Sequence, residues 1–189
     1  MLNFYKLIEI IVSVESLIIS TMIPVYIPLQ IIDKSRNGID IPITWQITTV
    51  ILLTLIFNRR VVYNAFTIYI IIGLFLYPVF DQGGSLGYLL TPNFGYLLGT
   101  YPLIKIIDKL NKKSKITIAN VLFNGFIGIS AMHLTGIFYN FIQITYYQNL
   151  NIFFYNLGKY TLGKIGYHLI MLAPIIFLIK PINYFKLNK

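Results

Sequence analysis

The stretch Asp81-Gln82-Gly83-Gly84-Ser85-Leu86-Gly87-Tyr88, continued by Leu89-Leu90-Thr91-Pro92-Asn93-Phe94-Gly95-Tyr96-Leu97-Leu98-Gly99, is rich in glycine yet lies between long apolar runs. Its glycines permit close backbone approach, its aromatic rings supply flat apolar walls, and Pro92 sets a turn or opens a helix. Irregular backbone at membrane depth is tolerated only where it is buried in protein or borders a cavity, because hydrocarbon offers bare N–H and C=O groups no partner. The stretch is therefore either a ligand-binding loop or a plain turn followed by the small-residue packing pair Gly95-x-x-x-Gly99.

The rest of the chain supplies the membrane context. Of 189 residues, 57% are apolar and 11% charged, against roughly 45–50% and about 25% in soluble domains. Apolar runs extend over Leu7–Leu29, Ile43–Phe57, Val61–Phe80, Leu89–Ile107, Ile116–Tyr139 and Leu162–Leu178. At about 20 residues per crossing, six spans just fit. The expected fold is an all-α bundle of six transmembrane helices, a single integral membrane domain over residues 1–189. Glu9 and Glu15 interrupt the first run and no small-x-small cleavage site follows, so the N-terminus is expected to stay as a helix rather than be removed.

The net charge of +9 orients this bundle rather than marking a nucleic-acid site, because short cytoplasmic loops carry the excess of Lys and Arg. With both termini cytoplasmic, eleven basic residues fall inside: Lys6, Arg59, Arg60, Lys105, Lys109, Lys112, Lys113, Lys115, Lys180, Lys186 and Lys189. Four, namely Lys34, Arg36, Lys159 and Lys164, fall outside. The glycine-rich stretch, the start of the second span and the start of the sixth then share the outer face.

Several chemistries are excluded. The chain has no cysteine, two histidines and six carboxylates, which rules out disulfides and thiol nucleophiles and leaves little for a metal site. No phosphate-binding G-x-x-x-x-G-K-[ST] loop occurs. Neither an enzyme nor a cofactor is expected.

Three further segments carry a resemblance. Pro78-Val79-Phe80, Gly83-Gly84, Gly87-Tyr88, Pro92 and Gly95-Tyr96-Leu97-Leu98-Gly99, together with Pro42-Ile43-Thr44-Trp45-Gln46 and His133-Leu134-Thr135-Gly136-Ile137-Phe138-Tyr139, resemble the BioY family, in particular its cyanobacterial-type members. These are biotin-specific substrate-binding membrane subunits of energy-coupling factor (ECF) transporters. The resemblance implies biotin or a related small acid as ligand, and a transmembrane coupling protein and ATPases as partners in the cell membrane. The expected pocket is built from Gln46, Gly83, Gly84, Tyr88, Asn93, Gly95, Tyr96, His133, Lys164 and Tyr167.

One departure bears on the ligand. Where the family often has Pro-Gly-Asp-x-x-Lys at the start of the sixth helix, this chain has Leu162-Gly163-Lys164-Ile165-Gly166-Tyr167. The acceptor an Asp would offer a ureido ring is absent there, which leaves a different vitamin-like acid open as substrate. Lys164 either meets a ligand carboxylate or snorkels to the interface. His133 either faces a cavity or packs between helices, and His168, one turn from Lys164, is expected to pack. In the first span Glu9, Ser13, Ser16 and Ser20 share one helical face; Ser16-x-x-x-Ser20 resembles the small-residue surface on which such subunits dock their coupling protein, or else it packs within the bundle. A membrane assembly protein without transport activity is the alternative from another class.

Overall fold

The computed structural model describes residues 4–27, 39–81, 83–113, 116–147 and 149–187. Most of them are helical, as expected, and a short β-ribbon is the exception. Helix α1 (Phe4–Met22) contains neither Gly nor Pro and ends just before Pro24, which has no N–H to continue the ladder. The first apolar run therefore divides. Pro24–Ile27 forms strand β1, paired antiparallel with β2 (Ile39–Thr44), and residues 28 and 29 lie outside the described residues. Ile43 and Thr44 belong to β2, which shortens the second run to helix α2 (Gln46–Ile56).

Helix α3 (Arg59–Phe75) is capped by Asn58, whose side chain accepts from the Arg60 amide at 3.3 Å. It stops five residues short of the expected Phe80, ahead of Pro78, which disfavours helical backbone in the residue before it. A short 3₁₀ helix (Leu86–Leu90) leads into α4 (Pro92–Leu98), with Pro92 in its first turn, and then through Gly99 into α5 (Thr100–Asn111). Helix α6 (Ile118–Tyr147) runs eight residues beyond the expected Tyr139.

The last expected span, Leu162–Leu178, is not one straight helix. Helix α7 (Leu150–Asn156), a π-helical segment (Leu157–Leu162) and α8 (Gly163–Ile170) follow one another, and the chain then bends by 45° into α9 (Ala173–Leu187). Pro174 in the first turn of α9 cannot supply an N–H, so the regular ladder is interrupted. The Thr48 hydroxyl of α2 covers the interruption by donating to the Met171 carbonyl at 3.0 Å. Among the described residues, Ile118–Ile144 alone is long and apolar enough to cross a membrane, and the bent pair Leu150–Ile170 and Ala173–Tyr184 meets the same criterion together.

Helix α6 packs on both α4 and α5, and α1 packs on α3. The closest of these approaches are made where glycines stand between the helices. A methyl group added at Gly99 would lie 2.4 Å from the Met132 carbonyl oxygen, and one at Gly95 would lie 2.3 Å from Cβ of Tyr139. Gly136 on α6 makes room for the Tyr96 ring in the same way. Gly95-x-x-x-Gly99 is thus a packing pair. Leu17, Val50, Phe66, Leu103, Ile129 and Ile175 are fully buried, whereas Phe123, Phe138, Phe154 and Phe177 stand exposed around the outside.

The serine stripe of α1 turns inward for the most part. Ser13 and Ser20 are buried, and Ser13, Ser16 and Ser20 each donate to a carbonyl of their own helix: Glu9, Val12 and Leu17 respectively. Ser20 is buried within the bundle and Ser16 is partly exposed at the edge of the face.

Candidate functional site

A cavity of about 70 Å³ lies where β2, α2, the loop before the 3₁₀ helix, α4, α5, α6 and α8 meet. The β-ribbon and α2 contribute Ile43, Thr44 and Gln46. The glycine-rich stretch contributes Asp81, Tyr88, Asn93 and Tyr96. From the other side come Thr100, Met132, Tyr160, Lys164 and His168. A second cavity of about 300 Å³, lined by Asn140, Gln143, Asn156 and the apolar side chains of Leu90, Pro92 and Phe153, adjoins the first. Tyr160 lines both.

Backbone turns set this arrangement. Phe80 and Gly83 exchange two hydrogen bonds, 2.9 and 3.0 Å, and Asp81 follows directly on the first of them. Gly83 has φ +108°, which a side chain would strain. The Phe80 ring is buried against Gly73 and stacks at 4.6 Å on Tyr88. The rings continue from Tyr88 to Phe94 and from Phe94 to Tyr139, whose hydroxyl donates to the Leu89 carbonyl. This aromatic ladder fixes the floor of the loop. Burial pushes the Tyr88 phenol above its ordinary pKa and Asn93 is its hydrogen-bond partner, so the hydroxyl remains neutral.

Behind the cavity runs a polar network. The Tyr96 hydroxyl is 2.6 Å from Thr161 Oγ1 and accepts from Asn140 Nδ2 at 3.3 Å. His133 Nε2 and His168 Nδ1 lie 3.1 Å apart, a bond that needs one ring to donate and the other to accept. Four buried side-chain atoms among the described residues have no partner: Gln46 Nε2, Thr100 Oγ1, His133 Nδ1 and Asn140 Oδ1. Gln46 and Thr100 line the first cavity, Asn140 lines the second, and His133 touches the first through His168. Lys164 Nζ sits 5.6 Å from the centre of the Tyr160 ring and Lys159 Nζ 5.2 Å from it, within cation–π range.

Of the ten residues expected to form the pocket, Gln46, Tyr88, Asn93, Tyr96 and Lys164 line the cavity. The others take different positions. Gly83 and Gly84 shape the loop, Gly95 packs on Tyr139, His133 stands one layer behind, and Tyr167 is exposed. His168, expected to pack, lines the cavity instead, one α-helical turn from Lys164 on the same face of α8. Asp81, Thr100 and Tyr160 are lining residues that the sequence reading did not single out. For Asp81 a signal existed, since a carboxylate in a glycine-rich turn between apolar runs is itself unusual.

The BioY family profile matches residues 3–176. The chain belongs to the BioY family. A probable biotin transporter BioY from Lysinibacillus sphaericus is 30% identical over 116 residues, which cover 58% of this chain and 57% of that protein. The BioY-family chain thus spans a little over half the length of this curated relative. Its fold is similar to that of the S-component for biotin from an ECF-type ABC transporter, seen in a crystal structure at 2.1 Å, with a TM-score of 0.62, 18% identity and 95% of each chain covered.

Proposed function

We propose that this chain is a multi-pass substrate-capture subunit of the cell membrane, with six spans and both termini on the cytoplasmic side, that binds biotin in the cavity between the glycine-rich loop and α8. The spans are α1, α2, α3, α4 with α5, α6, and the bent run from α7 to α9. Uptake is driven by partner subunits, a transmembrane coupling protein and ATPases. The exposed face of α1 beside Ser16 serves as one docking surface.

The observation that carries this reading is the buried, unpartnered Thr100 hydroxyl in the cavity wall, beside the side chains of Gln46, Asn93 and Lys164. A buried donor or acceptor without a partner costs about 1–3 kcal/mol, so such groups persist where a ligand completes them. Tyr88 and Tyr96 cover the apolar ring and chain of the ligand, Asn93 and Gln46 orient its polar groups, and Lys164 meets its carboxylate. At about 70 Å³ the cavity is smaller than the roughly 300 Å³ at which ligand pockets begin. Binding therefore includes a widening step, for which the Tyr160 ring, the wall shared with the larger cavity, is the movable part.

Equilibrium binding of labelled biotin to the purified protein in detergent tests the proposal. Displacement by unlabelled biotin, and loss of affinity in Lys164→Ala, are expected. A monodisperse, folded protein that does not bind biotin refutes it.

A further inference from the structure

The cavity has one acidic and one lysine side chain in its wall among the described residues, Asp81 from the turn ahead of the 3₁₀ helix and Lys164 from α8. Asp81 begins the tip of a turn whose two flanking residues are hydrogen-bonded to each other, with Phe80 locked beneath it by Gly73 and Tyr88. The carboxylate is therefore held at the rim by a rigid base even though the residue is exposed. The two charges are within electrostatic range of each other, yet the described residues include no direct ion pair between them. The space between them is left for a ligand.

An ionised carboxylate only accepts hydrogen bonds and an ammonium only donates them. The cavity thus has an accepting pole at Asp81 and a donating pole at Lys164, separated by aromatic walls. We propose, resting on the biotin assignment above, that Asp81 accepts a ureido N–H of the ligand. It thereby supplies from the glycine-rich loop the carboxylate that α8, with Lys164 at its start, does not provide. The site accordingly selects ligands that pair N–H donors on an uncharged head with an anionic tail.

The test is a cycle that varies protein and ligand together, using the full-length protein in detergent with biotin, N1′-methylbiotin and biotinamide as probes. A hydrogen bond to a charged group contributes enough that Asp81→Ala is expected to weaken biotin binding by about 10- to 100-fold. Methylating the ureido nitrogen should cost the wild type a comparable factor, and Asp81→Ala should distinguish the two ligands by less than about 2-fold. The penalty for converting the carboxylate to an amide should be the same in both proteins, because Lys164 reads that end. Asp81→Asn keeps the shape of the turn and should lie between the two; it carries the same cycle where the alanine variant does not fold.

An Asp81→Ala protein that binds biotin within about 2-fold of wild type, or effects of mutation and methylation that simply multiply, overturns the assignment of Asp81 and leaves the biotin reading standing. A changed ratio of biotin to biotinamide with an unchanged methylation penalty overturns it too, since Asp81 would then act through Lys164. A folded wild type that ignores all three ligands overturns the biotin reading itself.

Discussion

Replacing Gly99 by alanine probes the contact on which the cavity depends. The added methyl group would lie 2.4 Å from the Met132 carbonyl oxygen, 2.9 Å from its Cα and 3.0 Å from its carbonyl carbon. The first distance is about 1 Å inside an ordinary van der Waals contact, and the atoms it meets are backbone, which no rotamer change can remove. The junction of α4 and α5 must therefore move off α6, taking Tyr96 away from Thr161 and from its seat over Gly136. Overpacking of this kind costs about 1–3 kcal/mol. At roughly 2–4 °C per kcal/mol for a chain of this size, 2 kcal/mol lowers the midpoint by about 4–8 °C. The internal control is Gly166→Ala, in an exposed helical turn where the new methyl meets nothing within 4 Å; removing a flexible residue there should stabilise by about 0.5–1 kcal/mol. Thermal unfolding of both variants in one detergent, at one scan rate, reads the difference. A Gly99→Ala protein that melts with the wild type, or that falls no further than Gly166→Ala, refutes the close approach of α4, α5 and α6.

Tyr96→Phe removes the hydroxyl shared by Thr161 and Asn140, both buried, and should cost about 1–3 kcal/mol, measured as a lower unfolding midpoint with unchanged far-ultraviolet circular dichroism. His168→Leu leaves His133, whose Nδ1 is already unpartnered, with both ring nitrogens bare, and a similar loss is expected by the same measurement. The absence of native cysteine allows a clean topology test: single cysteines at Lys159 and at Lys109 should react with a membrane-impermeant maleimide from opposite sides of the membrane, and reaction from the same side refutes the single crossing by α6 between them.

Much of the cavity was legible in the sequence because its residues break the local pattern. Tyr88, Asn93 and Tyr96 stand in a glycine-rich stretch between apolar runs, and Gln46 and Lys164 are polar groups at the starts of apolar runs. Each is costly where it sits unless something meets it. The two fates of Gly95-x-x-x-Gly99 could not be separated from spacing, since a close backbone approach and a ligand cradle both call for the same missing side chain. Only the position of Tyr139 and Met132, more than thirty residues away, resolves them. The β-ribbon was hidden because Ile23–Leu29 is as apolar as a helix, and short apolar runs do not declare their period. The bend within Leu162–Leu178 was hidden for a related reason: Pro174 lies within a continuous apolar run, so no polar break marks it.

The bend between α8 and α9 ties together two positions that the chain separates by 123 residues. Because Pro174 bends the chain and the Ile175 amide turns to the Leu172 carbonyl, the buried Met171 carbonyl is left to the Thr48 hydroxyl, so serine is tolerable at position 48 and valine, of nearly the same shape, is not. Relatives in which that proline has been lost are released from the requirement. The two sites are therefore expected to drift through evolution as a linked pair, one changing only after or alongside the other.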